Sequence, residues 1–205
     1  MEKNLNNFRF EKKFISDNTR LYLILFELKS NGFFKTHPER IINSIYFDDI
    51  NLKSYYENLD GLSNRKKYRF RFYGDFTKNI QGKFEKKIKR GDVNYKLSQS
   101  HSVSLKNLYK INFPHKPNLY LNIHTKYKRY YFYNRLKKVR CTIDVGLKII
   151  NAKNKLVKHF NKIIIEFKCD KKTVFNNIIK STNYNVRCSK YCIGIDLHNM
   201  ASENY

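Results

Sequence analysis

The stretch Tyr68–Asp75, YRFRFYGD, sets cations and aromatics in strict alternation. In a β-strand, successive side chains point to opposite faces. Tyr68, Phe70 and Phe72 then share one face, and Arg69, Arg71 and Tyr73 share the other. Two guanidiniums on one face make a fork that grips phosphate or carboxylate oxygens in pairs. The same period recurs in other segments. Arg9, Glu11 and Lys13 oppose Phe8, Phe10 and Phe14, and Lys67 joins the face of Arg69 and Arg71. Lys83, Glu85, Lys87 and Lys89 oppose Phe84 and Ile88. Tyr127, Arg129 and Tyr131 share a face, as do Arg140, Thr142 and Asp144, opposite Cys141, Ile143 and Val145. Ile164, Glu166 and Lys168 oppose Ile163, Ile165 and Phe167.

One such strand would read as half of a sheet with a wet outer face. Six with the same design read differently. A solvated face mixes Ser, Thr, Gln and Asn among its charges, whereas these repeat cations with one carboxylate on most strands. If helices cover the apolar faces, the charged faces line an interior. Two like charges about 4 Å apart repel by about 4 kcal/mol at an effective dielectric near 20. Interspersed carboxylates relieve part of that, and a bound polyanion would relieve the rest.

The elements that must position these residues follow from pattern and punctuation. Strands are predicted over Phe8–Phe14, INSIYFDD up to Asp48/Asp49, and RKKYRFRFYGD. A hairpin turns at Gly91-Asp92 between KFEKKIKRGD and VNYKLSQ. Three further strands are NLYLNIHTKYKRYYFYN, KVRCTIDVGLKII and KHFNKIIIEFK. Helices are predicted from an Asp17 or Asn18 cap through Ser30, with Leu21, Ile24, Leu25 and Leu28 on one stripe. Others are NLKSYYENL, SVSLKNLYKI, KKTVFNNIIKS and, as helix or turn, RCSKYCIGIDLHN. The fold class is therefore α+β, mainly β: a closed or nearly closed antiparallel barrel with supporting helices. With seven Gly, three Pro and no linker or repeat, residues 1–205 read as a single domain.

Bulk composition agrees. Apolar residues are 41% of the chain, with 16 Phe and 16 Tyr, enough for a sizeable core. The 42 Lys+Arg against 17 Asp+Glu give a formal net charge of +25, which points to a polyanionic partner. Part of that surplus is a general Lys and Asn bias, but bias scatters Lys and does not place Arg in register. Cys141, Cys169, Cys188 and Cys192 fit no zinc spacing and read as reduced thiols, and the six His form no ligand set. No segment reads as a signal peptide or a membrane span, so the expected location is cytoplasmic.

Taken in order, FRFEKKF, SIYFD, YRFRFYGD, FEKK, YKRYYF, VRCTID, IEFK and CSKY resemble the VTC domain. That family is the polyphosphate polymerase branch of the triphosphate tunnel metalloenzymes, related to the CYTH group. The resemblance runs from about Phe8 to Ile193 and implies an antiparallel eight-stranded tunnel. It implies transfer of the ATP γ-phosphate onto a growing inorganic polyphosphate chain, with release of ADP. Carried onto this sequence, it makes Lys13, Arg69, Arg71, Lys87 and Arg129 the catalytic cations. Arg9, Lys96, Tyr127, Arg140, Lys168, Ser189 and Lys190 would bind ATP or polyphosphate, and Glu166 would hold a divalent metal, Mn²⁺ or Mg²⁺. The implied partners are ATP and polyphosphate, with membrane-protein subunits an open option. Glu11 is a single acid where the triphosphatase branch repeats E-x-E, which leans toward the polymerase. Asp144 and Glu85 read as partners that hold cations in place.

Two other functions compete. One is a metal-dependent triphosphatase of the same fold. The other is a non-catalytic polyphosphate or nucleic-acid binder. A stacking platform for single strands needs aromatics on the cationic face. Phe10, Phe70, Phe72 and Phe84 lie opposite it, so nucleic acid is expected to bind only non-specifically, through outer lysines.

Overall fold

The computed structural model describes residues 2–4, 10–91, 93–169 and 188–199. Ten strands form one antiparallel sheet. Eight are long: β2 (Phe10–Asp17), β3 (Phe34–Asp48), β4 (Arg65–Tyr73), β5 (Asn79–Arg90), β6 (Val93–Ser104), β7 (Tyr120–Asn134), β8 (Val139–Asn151) and β10 (Lys162–Cys169). Two are short, β1 (Glu2–Asn4) and β9 (Val157–Phe160). The order across the sheet is β1-β6-β5-β4-β3-β7-β8-β10-β2, with β9 on β8. Helices α1 (Leu21–Ser30), α2 (Lys53–Leu59) and α3 (Lys190–Asn199) complete the described elements, with 3-10 turns at Asn18–Arg20 and Leu105–Lys110.

The order places β1 and β2, neighbours in the chain, at opposite edges of the sheet. Nine flat strands would separate those edges by about 38 Å. Yet Asn4 and Phe10 are joined by only five residues, which reach at most about 20 Å. The sheet therefore curls on itself. Among the described residues no ladder hydrogen bond closes the seam, but a side-chain contact crosses the lumen. Lys87 Nζ of β5 lies 3.8 Å from Glu11 Oε2 of β2.

The apolar outer faces are covered as the alternation requires. Ile24 and Leu28 of α1 pack on Cys141, Ile143, Ile163, Ile165 and Phe167. Phe70, Phe72 and Phe84 pack under Leu108 and Phe113. The inner face departs from expectation: only part of it is charged. Ile42, Tyr46, Ile123, Tyr127, Leu147, Ile149 and Ile164 bury against Tyr191, Cys192 and Ile195, so α3 sits inside the curl. Gly146, at φ +62°, is the cause on β8. It makes a bulge against Lys126–Lys128, and an extra residue switches which side chains face inward. Before it Thr142 and Asp144 face the lumen; after it Leu147 and Ile149 do.

Other boundaries also moved. β3 begins at Phe34, well before INSIYFDD, because register shifts at Lys35/His37 and His37/Arg40 accommodate Pro38, which has no N–H to donate. KHFNKIIIEFK splits at Asn161 into β9 and β10. Ser102–Ser104 of the expected helix SVSLKNLYKI ends β6, and the rest is a 3-10 turn. α1 starts without a side-chain cap, entered through its 3-10 turn. The helix expected over KKTVFNNIIKS lies outside the described residues. Within them, no helix is long and apolar enough to cross a membrane.

Candidate functional site

Inside the curl is a cavity of about 560 Å³ lined by ten cations and three carboxylates. β4 contributes Arg65, Lys67, Arg69 and Arg71, and β5 contributes Glu85, Lys87 and Lys89. β2 adds Glu11 and Lys13, β7 adds Tyr127 and Arg129, and β10 adds Glu166 and Lys168. Cys188, Ser189 and Lys190 enter from the start of α3. The Ile193 amide donates to the Ser189 carbonyl at 2.9 Å, so the helix begins at the lumen wall with its positive dipole end there.

Every lumen carboxylate is held by cations. Glu11 takes Lys13 at 2.6 Å, Lys168 at 3.5 Å and Lys87 at 3.8 Å. Burial and Glu166 push its acid up, but Lys87, Lys13 and Lys168 outweigh them and hold it at about 2. Glu85 accepts from Arg69 at 2.6 Å and Lys96 at 3.1 Å. Burial raises its acid too, yet Arg69, Arg71 and Lys96 bring it to about 2. Glu166 meets Lys168 at 2.5 Å and Lys13 at 3.9 Å. Against burial, Lys168, Lys13 and Arg129 hold it well below the usual carboxylate range. Beneath the wall, Asp144 accepts from Arg129 Nε and Nη2, at 2.5 and 2.8 Å, and meets Lys190 Nζ at 2.5 Å. Asp144 and Glu85 thus position cations, as the alternation suggested.

Arg71 and Lys67 bond to neutral groups. Arg71 Nε donates to Ser44 Oγ at 3.2 Å and has no carboxylate within ion-pair distance among the described residues. Lys67 donates to Asn58 Oδ1 at 2.6 Å and Ser189 Oγ at 2.9 Å, both neutral acceptors. Burial pushes Lys67 down to about 7; Cys192 pulls the other way, while Lys13, Lys87 and Arg65 add to the fall.

Of the residues named from sequence, Lys13, Arg69, Arg71, Lys87, Tyr127, Arg129, Glu166, Lys168, Ser189 and Lys190 line this one cavity. Lys96 reaches its edge through Glu85. Arg140 does not enter. It is exposed near the start of β8, paired in register with Tyr133 and with Lys168, which does line the cavity. Arg9 lies outside the described residues. Sequence reasoning gave no site role to Glu11, Tyr46, Asn58, Arg65, Lys67, Lys89 or Cys188, which also line the cavity. Lys67 and Glu11 carried the same parity signal as their neighbours. Asn58 and Tyr46 gave none, since a short helix and an apolar strand do not announce a lumen.

The profile of the VTC domain matches residues 8–117 and 98–199, two overlapping segments that together span nearly the whole chain. The chain belongs to the VTC domain family. No curated protein matches it significantly. Among solved structures, the PH1819 protein from Pyrococcus horikoshii OT3 is similar with a TM-score of 0.54 at 12% identity, covering 92% of this chain and 99% of the other. HpAC1 from Hippeastrum, for which a dominant triphosphatase activity is described, is similar with a TM-score of 0.47 at 11% identity, covering 91% and 94%. At these identities the likeness to solved structures concerns fold.

This VTC domain was expected to take a divalent metal on Glu166. No group of three or more His, Cys, Asp or Glu able to hold a metal occurs among the described residues. Glu11 and Glu166 nevertheless lie close enough to act on each other and share Lys13 and Lys168. Mg²⁺ commonly binds through one or two carboxylates plus substrate phosphates and water. The donor set fits an ion that arrives with a triphosphate, and does not fit a resident ion in an all-protein cage.

Proposed function

We propose that this VTC domain is a polyphosphate polymerase that moves the ATP γ-phosphate onto the end of an inorganic polyphosphate chain and releases ADP. A terminal phosphate oxygen of the chain attacks the γ-phosphorus, and the bond to the β,γ-bridging oxygen breaks. ADP leaves with that electron pair. Phosphate second ionisations lie near 6, so above that pH the acceptor is already anionic and no proton need move. The transition state is loose, and catalysis is then mostly positioning and charge stabilisation.

The observation that carries this reading is the state of the lumen carboxylates. Glu11, Glu85 and Glu166 are each bound by cations and held as very weak bases. The cavity lining contains no His. Drawing a proton from water for hydrolysis is poorly served; receiving an acceptor that is already charged is well served. Ten cations against three carboxylates leave a surplus of seven, more than a triphosphate of about four negative charges requires, with room for a second anionic chain. Arg69 and Arg71 would grip phosphate oxygens in pairs, while Lys13, Lys87 and Arg129 offset the moving charge. Arg69 is fixed by Glu85, and Arg129 by Asp144. A divalent ion carried by Glu11 and Glu166 would add neutralisation of phosphate charge.

A triphosphatase is the second reading, favoured by the proximity of Glu11 and Glu166. Incubation with ATP and Mn²⁺ or Mg²⁺ distinguishes the two. Long chains on a polyphosphate-stained gel, with ADP in equal amount to phosphate incorporated, are the expected result. Orthophosphate with no chain would replace the polymerase by the hydrolase.

A further inference from the structure

Beyond Arg71 and Arg129 the inner faces of β3, β4 and β7 continue, and their character changes. The next inward residue on β4 is Tyr73, about 7 Å along the strand from Arg71. On β7 it is Tyr131, two residues past Arg129. On β3, Arg40 pairs with Arg129 and His37 with Tyr131. His37, Arg40 and Tyr131 form one cluster, and Tyr73 stands on the adjoining strand, in register with Ile42 of β3. The His37 and Tyr131 rings meet edge to face at 5.7 Å, and the Arg40 guanidinium lies 5.9 Å from the Tyr131 ring centre. Arg129, which lines the lumen, is in register with Arg40 and two residues from Tyr131, so the cluster adjoins the lumen. It is also open. Tyr73 is 55% exposed, and His37 and Arg40 are exposed. Among the described residues no aromatic ring packs against Tyr73.

Aromatic rings beside guanidiniums at a wet rim are a stacking surface for a flat π-system. The lumen interior binds charge and offers its few Tyr rings, Tyr46 and Tyr127, already buried. The rim is where a base attached to phosphates would emerge. We propose that Tyr73 and Tyr131, with Arg40 and His37, form a nucleobase-stacking site for a nucleoside triphosphate whose phosphates occupy the lumen. The proposal rests on the lumen as a triphosphate site and adds what the nucleoside touches. Stacking reads the π-face common to all bases, so purines are held better than pyrimidines, and adenine and guanine differ little.

The experiment compares two ligands with the same phosphates, ATP and inorganic tripolyphosphate, by titration calorimetry on the wild type, Tyr73→Ala and Tyr73→Phe. Tyr73 is substantially exposed, so neither variant should disturb the fold. Tyr73→Ala is expected to weaken ATP about tenfold and leave tripolyphosphate unchanged, while Tyr73→Phe binds both as the wild type does. Unchanged ATP affinity in Tyr73→Ala, or equal losses for both ligands, would overturn the stacking site and leave the lumen intact. A loss confined to single-stranded RNA would reassign the rim and overturn it as well. A wild type that binds neither ligand would remove the lumen reading and this site with it.

Discussion

Arg69 and Arg71 sit two residues apart in one motif, yet their substitution should fail in different ways. Arg69 is bound to the buried Glu85 at 2.6 Å. Removing it leaves a buried carboxylate with Lys96 alone, and breaking such a pair costs about 3 kcal/mol. Among the described residues, Arg71 holds only Ser44 Oγ. Arg71→Ala is therefore expected to keep its melting temperature and lose polymer synthesis, whereas Arg69→Ala loses both. Calorimetric melting beside the gel assay separates them, and an active, folded Arg71→Ala would remove that arginine from the chemistry. Lys67 yields a pH prediction. Its folded value of about 7 lies below its ordinary value near 10.4, so between these limits the unfolded chain binds the extra proton. This group's contribution to stability rises with pH through that window, and burying its charged form costs most below pH 7. Lys67→Met should accordingly raise the melting temperature more at pH 6 than at pH 9; an equal rise at both would mean that Lys67 does not titrate there.

Among the elements, α3 decides how much of the curl is lumen and how much is core. It can lie against β7 and β8 because Gly194 has no side chain. A Cβ there would come within 2.3 Å of Ile123 Cδ1 and 3.0 Å of Ile149 Cγ2, both buried. Gly194→Ala should cost about 1–3 kcal/mol, the usual range for overpacking, and should weaken tripolyphosphate binding, because Ser189 and Lys190 travel with the helix. Denaturant unfolding and calorimetry test both, and full retention of binding would show that the start of α3 is positioned independently. Tyr191 adds a second tie, donating to Asp48 Oδ2 at 2.6 Å, while the same carboxylate accepts from the Ser54 and Tyr55 amides that begin α2. The period of two made the wall strand RKKYRFRFY readable, since it buries Tyr68, Phe70 and Phe72 and leaves the other parity to the lumen. It failed where one residue resets parity, as at Gly146, and where Pro38 hid the first half of β3. The position of α3 was not legible, because its apolar residues would fit an outer layer as well as an inner one. Arg140 lies outside the cavity lining for a related reason: a face pattern does not say where along the strand the lumen ends.

For the whole molecule, the surplus of +25 and the crowded lumen are two parts of one imbalance. A ligand that binds only the folded state at one hundred times its Kd stabilises by about 2.7 kcal/mol, which for a chain of this size is roughly 5–10 °C. Millimolar tripolyphosphate should raise the melting temperature by that much. Sodium chloride should reduce the effect, because screening weakens attraction to the ligand. An unchanged melting curve would mean that the cations do not converge on one anion.

The seam between β1 and β2 has a consequence for how the molecule comes into being. β2 pairs with β10, and Lys13 meets Glu166 across about 150 residues of chain. Contacts so distant in sequence are the last to form, since the intervening loop must close before they return any energy. A nascent chain still lacking β10 and α3 has its arginines but no vessel to hold them in. The lumen thus comes into being only with the final strands, and a chain released before them would carry its cations on an open sheet.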